Sequence, residues 1–253
     1  MGLSRSSEDD AGLSTTALKR HEAVAEFAID YGLPGKNGYE YRVPFDYFAL
    51  QAATSSANGF ENVLVRGSLF ARPYERLDRK YRGIWGLFGT YDYIAPQTFR
   101  VSSTGLSLGT VGQWNASDLI SMQGSALFGV GYAAVGTVRS SDERDYQYGI
   151  APQGLLGFRM VYAERLSLDL TGREYFVSRV AAAARGGHEN ISRLDASLTW
   201  RISEKKPHAV SIKYLGNRRD VSYPDIGSRK QTRATVGLYY TYLGHDAFAT
   251  ERW

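Results

Sequence analysis

The sequence predicts an all-β fold, a transmembrane antiparallel up-and-down β-barrel of ten to twelve strands with a polar lumen. Three observations carry that prediction. First, apolar and polar residues alternate with period two through most of the chain. In "LSLDLTGREY" (166–175), Leu166, Leu168 and Leu170 interleave with Ser167, Asp169 and Thr171. Second, the runs are about 10–16 residues long, beyond the five or six of a common strand and suited to a tilted bilayer crossing. Third, the apolar rows end in aromatics while the polar rows are small, hydroxyl-rich and mixed in sign. A water-soluble barrel would turn those charges outward.

Composition agrees. The 18 Tyr, 11 Phe, 4 Trp and 27 Gly against 7 Pro suit strands and tight turns. No apolar run approaches the roughly 18 residues of a spanning helix, which excludes a helical membrane protein but not a barrel. The absence of cysteine removes disulfide frameworks, thiolate catalysis and zinc–thiolate sites. The net charge of +4 is scattered, with no block that reads as a nucleic-acid surface.

In chain order, residues 1–18 are polar and are expected to form a disordered segment, with 19–253 a single barrel domain. The opening lacks the apolar core of a signal peptide, so a removed leader or a fragment is expected. Ala23, Ala25, Phe27, Ile29 and Tyr31 then oppose Glu26 and Asp30, and Val43, Phe45, Tyr47 and Ala49 oppose Asp46. Trp85, Leu87, Tyr91 and Tyr93 alternate with Thr90 and Asp92; Leu106 and Leu108 alternate with Ser103 and Ser107, the outer row ending at Trp114. Met122, Phe128, Val130 and Tyr132 alternate with Ser121, Gln123 and Ser125, and Leu156, Phe158, Met160 and Tyr162 oppose Gln153 and Arg159. Leu194, Leu198 and Trp200 oppose Arg193, Asp195 and Arg201; Val210, Ile212 and Tyr214 oppose Lys213; Val236, Leu238, Tyr240 and Tyr242 oppose Arg233 and Thr235.

About eleven runs are visible, whereas single-chain bacterial barrels have even counts. Ten strands follow if the run at 22–31 lies outside the wall, twelve if a partner strand is hidden. The turns alternate between short ("WNASD", "AER", "SEKKP") and long ("SSDERDYQ", "RGGHEN", "NRRDVSYPDIGSRK"), as periplasmic turns and external loops do. Placing the short ones on one side predicts an aromatic girdle there of Trp114, Tyr162, Trp200, Tyr240 and Tyr242.

The stretches "FDYFALQ", "LVRGSLFARPYE", "RGIWGLFGTYDYIAPQTFRVSSTGLSLGTVGQW", "DLTGREYFVS", "ENISRLDASLTW" and "YYTYLG" resemble an uncharacterised bacterial family, domain of unknown function 3943, over roughly residues 40–245. The resemblance implies an envelope-associated protein and brings no activity with it.

Several short patterns invite chemistry. Gly105-Leu-Ser107-Leu-Gly109 spells a nucleophile elbow, but the strand pattern runs through it, so Ser107 reads as a strand serine. Gly129 and Gly131 lack dinucleotide-site spacing. His21, His188, His208 and His245 stand apart, and no metal set forms; His188, in an expected external loop beside Glu189, is the candidate base of a lipid- or lipopolysaccharide-modifying enzyme. The richest set is the inward row: Glu26, Asp30, Asp46, Arg66, Asp92, Arg159, Asp169, Arg173, Arg193, Asp195, Arg201, Lys213 and Arg233. Charges of both signs in a narrow interior pair into a ladder that fills it, or leave a gap that passes a small polar or anionic solute.

The sequence therefore predicts a bacterial outer-membrane barrel, structural or a narrow transport channel, without cofactor or metal. Its expected partners are the bilayer with its lipopolysaccharide and the barrel-assembly machinery, with no nucleic acid. The alternatives are the lipid-modifying enzyme and a soluble ligand-binding barrel.

Overall fold

The computed structural model describes residues 2–10, 24–31, 48–55, 59–75, 81–94, 99–138, 144–178, 187–203, 208–223 and 227–242. These residues form twelve strands. They are β1 (Gly2–Asp10), β2 (Val24–Tyr31), β3 (Phe48–Ser55), β4 (Gly59–Glu75), β5 (Tyr81–Ile94) and β6 (Phe99–Ser117), then β7 (Ile120–Val138), β8 (Arg144–Tyr162), β9 (Leu166–Ser178), β10 (His188–Arg201), β11 (His208–Tyr223) and β12 (Gly227–Tyr242). Every neighbouring pair is antiparallel, and strands from β2 to β12 lie in chain order, with β1 against β12. This is the up-and-down barrel wall that the alternation predicts.

The wall curls strongly. Four places in the sheet separate β5 from β9, roughly 19 Å in a flat sheet at about 4.8 Å per strand. Yet Arg173 of β9 bonds Asp92 of β5 at 2.7 Å, so their shared face is the concave one. Curvature needs room on that face, and glycine supplies it. A side chain on Gly105 would stand 2.5 Å from Gln153 Nε2 and 2.7 Å from the Cα of Gly131 across the ladder.

The convex face is apolar and bare. Leu106, Leu108, Phe128, Val130, Ile150, Leu156, Leu198, Ile212 and Leu238 are exposed. A continuous apolar surface of this extent on many strands has no stable contact with water and is the lipid-facing belt of a spanning barrel. From Met122 to Tyr132 on β7 the outward row advances ten residue steps. At about 3.4 Å per residue and a tilt of roughly 40°, that is about 26 Å, close to the ~25 Å band of such barrels. A register shift between Ser68 and Phe70 keeps the phase on β4 productive: Leu69 and Phe70, consecutive in sequence, both face outward.

The structure corrects three expectations and decides between two strand counts left open. Within the segment expected to be disordered, Gly2–Asp10 forms β1 and pairs with β12. Ladder bonds join backbone to backbone, so a polar stretch without alternation can still be a strand. The run at 24–31 is in the wall as β2, and with β1 the count is twelve. "NRRDVSYPDIGSRK" is mostly strand, β11 and β12 staying paired up to Tyr223 opposite Gly227. Both faces are polar there, with Arg218 and Asp220 outward and Asn217 and Arg219 inward, so no apolar stripe marks it. "RGGHEN" likewise ends in strand, His188 opening β10 between Ser178 and Ser222.

The concave face is not wholly polar. Leu64, Ile84, Phe88, Val111, Leu127 and Leu155 pack into one apolar cluster, and Ile94, Val101, Val135, Tyr175, Val177 and Ile191 belong to a second. The polar groups sit among these clusters and not along an unbroken polar tube.

Candidate functional site

Alternation on β9 and β10 sends Arg173 and Arg193 inward from adjacent strands, directly opposite each other in the ladder. Two guanidinium groups side by side would repel, and the fold places carboxylates around them. Arg173 Nη1 donates to Asp92 Oδ1 at 2.7 Å and to Asn62 Oδ1 at 3.0 Å, and its Nη2 donates to Asp195 Oδ2 at 2.7 Å. Arg193 grips Asp195 from the other side, Nε donating to both carboxylate oxygens at 3.0 and 2.9 Å. The Tyr175 hydroxyl donates to the second oxygen of Asp92. One network thus ties β4, β5, β9 and β10 across the interior. Its Arg173–Asp92 half is buried, those side chains being 1% and 4% exposed, while Asp195 keeps 27%.

Two further pairs flank it. Arg219 holds Glu189 with two bonds, Nε to Oε2 at 2.9 Å and Nη2 to Oε1 at 3.0 Å, the fork geometry that suits guanidinium and carboxylate. Arg159 pairs with Asp169, whose other oxygen accepts from Ser167 Oγ at 3.0 Å. Between β5 and β8 the amide of Gln153 donates to Thr90 Oγ1 at 2.7 Å and Ser107 Oγ at 3.3 Å, and accepts from Ser103 Oγ at 3.1 Å.

Of the inward charges expected from sequence, the structure joins Asp92, Arg173, Arg193 and Asp195 in one network and pairs Arg159 with Asp169. Arg66 is buried and, among the described residues, reaches only Ser125. Lys213 is half-buried with its ammonium 5.2 Å from the Tyr239 ring, and Arg201 and Arg233 are half-buried on the inward rows of β10 and β12. Asp46 lies outside the described residues, as do the side chains of Glu26 and Asp30. Sequence reasoning missed Asn62, Tyr175 and Arg219, and placed Gln153 on the polar row without its partners. Extending the parity of Arg173 by two residues reaches Tyr175, so that partner was within reach; Arg219 and Glu189 were hidden by reading their segments as loops.

Trp114, Tyr162, Trp200 and Tyr240 are all exposed near the same rim, the side chain of Tyr242 being outside the described residues. Tyr81, opposite Trp114 in the ladder, joins them. At the other rim Tyr132 and Tyr148 stack with centroids 6.3 Å apart.

Nothing catalytic assembles among the described residues. Ser107 is buried under Gln153 on a strand that continues to Ser117, with no helix after it. His188 is exposed and stacks on Phe176 at 5.1 Å, and His208 stacks on Tyr240 at 5.7 Å. No group of three metal-ligating side chains occurs among the described residues.

No family model and no curated protein matches the chain, so the resemblance to domain of unknown function 3943 rests on the quoted blocks alone. Three solved structures resemble it over 96% of its length. They are a deltaS2 mutant of the TodX monoaromatic hydrocarbon channel (7% identity, 89% of that chain, TM-score 0.29), the CymD monoaromatic hydrocarbon channel (9%, 88%, 0.24) and the P. putida toluene transporter TodX (7%, 88%, 0.26). Likeness this distant carries no argument about what the present chain does.

Proposed function

We propose that the chain is a bacterial outer-membrane barrel serving as a narrow channel for small polar solutes, with the Arg173 network as its constriction. The carrying observation is that this network spans from β4 and β5 to β9 and β10 through the interior. An eight-stranded barrel is just filled by its own side chains, while sixteen to eighteen strands leave an aqueous channel. Twelve strands fall between, where a bridge of paired charges closes a lumen that would otherwise conduct. The lipid-facing belt and the girdle support a bilayer setting, and the outer membrane is where barrels of this build reside. Its neighbours there are lipopolysaccharide and, during insertion, the barrel-assembly machinery.

Planar-bilayer recording of the refolded full chain tests this reading. The wild type is expected to open rarely and with small steps. The double variant Arg173→Met with Asp92→Leu, which removes the bridge without stranding a charge, is expected to pass larger and longer currents. Silence from both proteins, each verified as inserted, would leave a structural barrel and remove the channel.

A further inference from the structure

Arg173, Arg193, Arg159 and Arg219 each bond a carboxylate. Arg66 does not. It projects inward from β4, is 7% exposed, and among the described residues makes one long bond, Nη1 to Ser125 Oγ at 3.4 Å. Its Nε is buried with no hydrogen-bond partner, and no acid among the described residues reaches it. A buried lysine could shed its proton, but a guanidinium stays charged at any accessible pH, so this charge calls for a counter-ion. The surroundings suit a small one. Ser125 lies opposite Gly157 on β8, and a Cβ there would sit 2.4 Å from the Ser125 hydroxyl, so only glycine leaves that hydroxyl its place beside Arg66.

We propose that Arg66 and Ser125 form a binding site for a small oxyanion, a carboxylate or phosphate group, inside the lumen. Guanidinium and hydroxyl both donate, which matches an acceptor-only guest and rejects cations. The site gives the channel its preferred solute class, and in that respect it rests on the channel reading.

The test is the temperature at which the folded protein loses its unheated mobility in gel electrophoresis. It is measured for the full chain in detergent with phosphate, acetate or chloride at equal ionic strength. Phosphate near a hundred times its dissociation constant should raise the wild-type midpoint by on the order of 5 °C over chloride. The acetate arm distinguishes a carboxylate site from a phosphate site. Arg66→Gln and Arg66→Met should lose the shift, while Arg218→Gln on the outer wall should keep it. Ser125→Ala, which retains the charge, should weaken the shift and decides the matter if neither Arg66 variant refolds. No oxyanion shift in the wild type, an equal shift in the Arg66 variants, or an undiminished shift in Ser125→Ala would overturn the site. Failure of the channel looks different: an oxyanion shift without current sinks the channel and keeps the site, and current without the shift does the reverse.

Discussion

At the scale of single residues, the interior holds charges that are cheap only in company. Asp92 faces Arg173 and Tyr175 in a buried setting, so Asp92→Ala leaves Arg173 and Arg193 to share the single carboxylate of Asp195 and is expected to destabilise the barrel by roughly 3–5 kcal/mol in urea titration. The Arg173→Met, Asp92→Leu pair should lose far less than the sum of its single variants, because replacing both partners removes the uncompensated charge. A second residue-scale prediction concerns the turn after β8. Ala163 and Glu164 have φ of 49° and 55°, and Arg165 N donates to Tyr162 O at 3.0 Å, a two-residue hairpin turn with both central residues left-handed. Neither residue favours that region. Glu164→Gly should therefore stabilise by roughly 0.5–1 kcal/mol, read as a higher urea midpoint with an unchanged slope.

At the scale of strands, what the sequence disclosed followed from which face was uniform. Over much of β7, β8 and β9 the outward row is apolar, so phase was legible from period alone, although Leu127, Leu155, Tyr175 and Val177 point inward and Glu174 outward. Where both faces are polar, as at Arg218, Arg219 and Asp220, the same rule found only loop. Where both are apolar, as around Ile84, Trp85, Leu87 and Phe88, it hid the inner cluster. The network's acids and bases were recognisable as inward residues, but their pairing was not, since Arg173 meets Asp92 through curvature that no local pattern encodes. Depth along the outer face gives a further prediction. Phe128→Arg, in the middle of the apolar row of β7, should cost about 2–4 kcal/mol of folding stability in lipid. Thr232→Arg should cost about 0–1 kcal/mol, because its ladder partner is the outward, charged Arg218, beyond the apolar row of β11.

At the scale of the whole molecule, the account depends on one assignment: lipid lies against the convex face and the charges lie within. The natural chain contains no cysteine, so single cysteines can be placed without background. The most direct measurement introduces them one at a time at positions 126–132 on β7, attaches a nitroxide, refolds the protein into lipid vesicles, and compares collision with oxygen and with a water-soluble nickel complex. The account predicts a period of two, positions 126, 128, 130 and 132 colliding with oxygen and shielded from nickel, and the odd positions between them protected from oxygen. Nickel access at the even positions would contradict it, placing water where the belt should meet lipid and turning the barrel inside out.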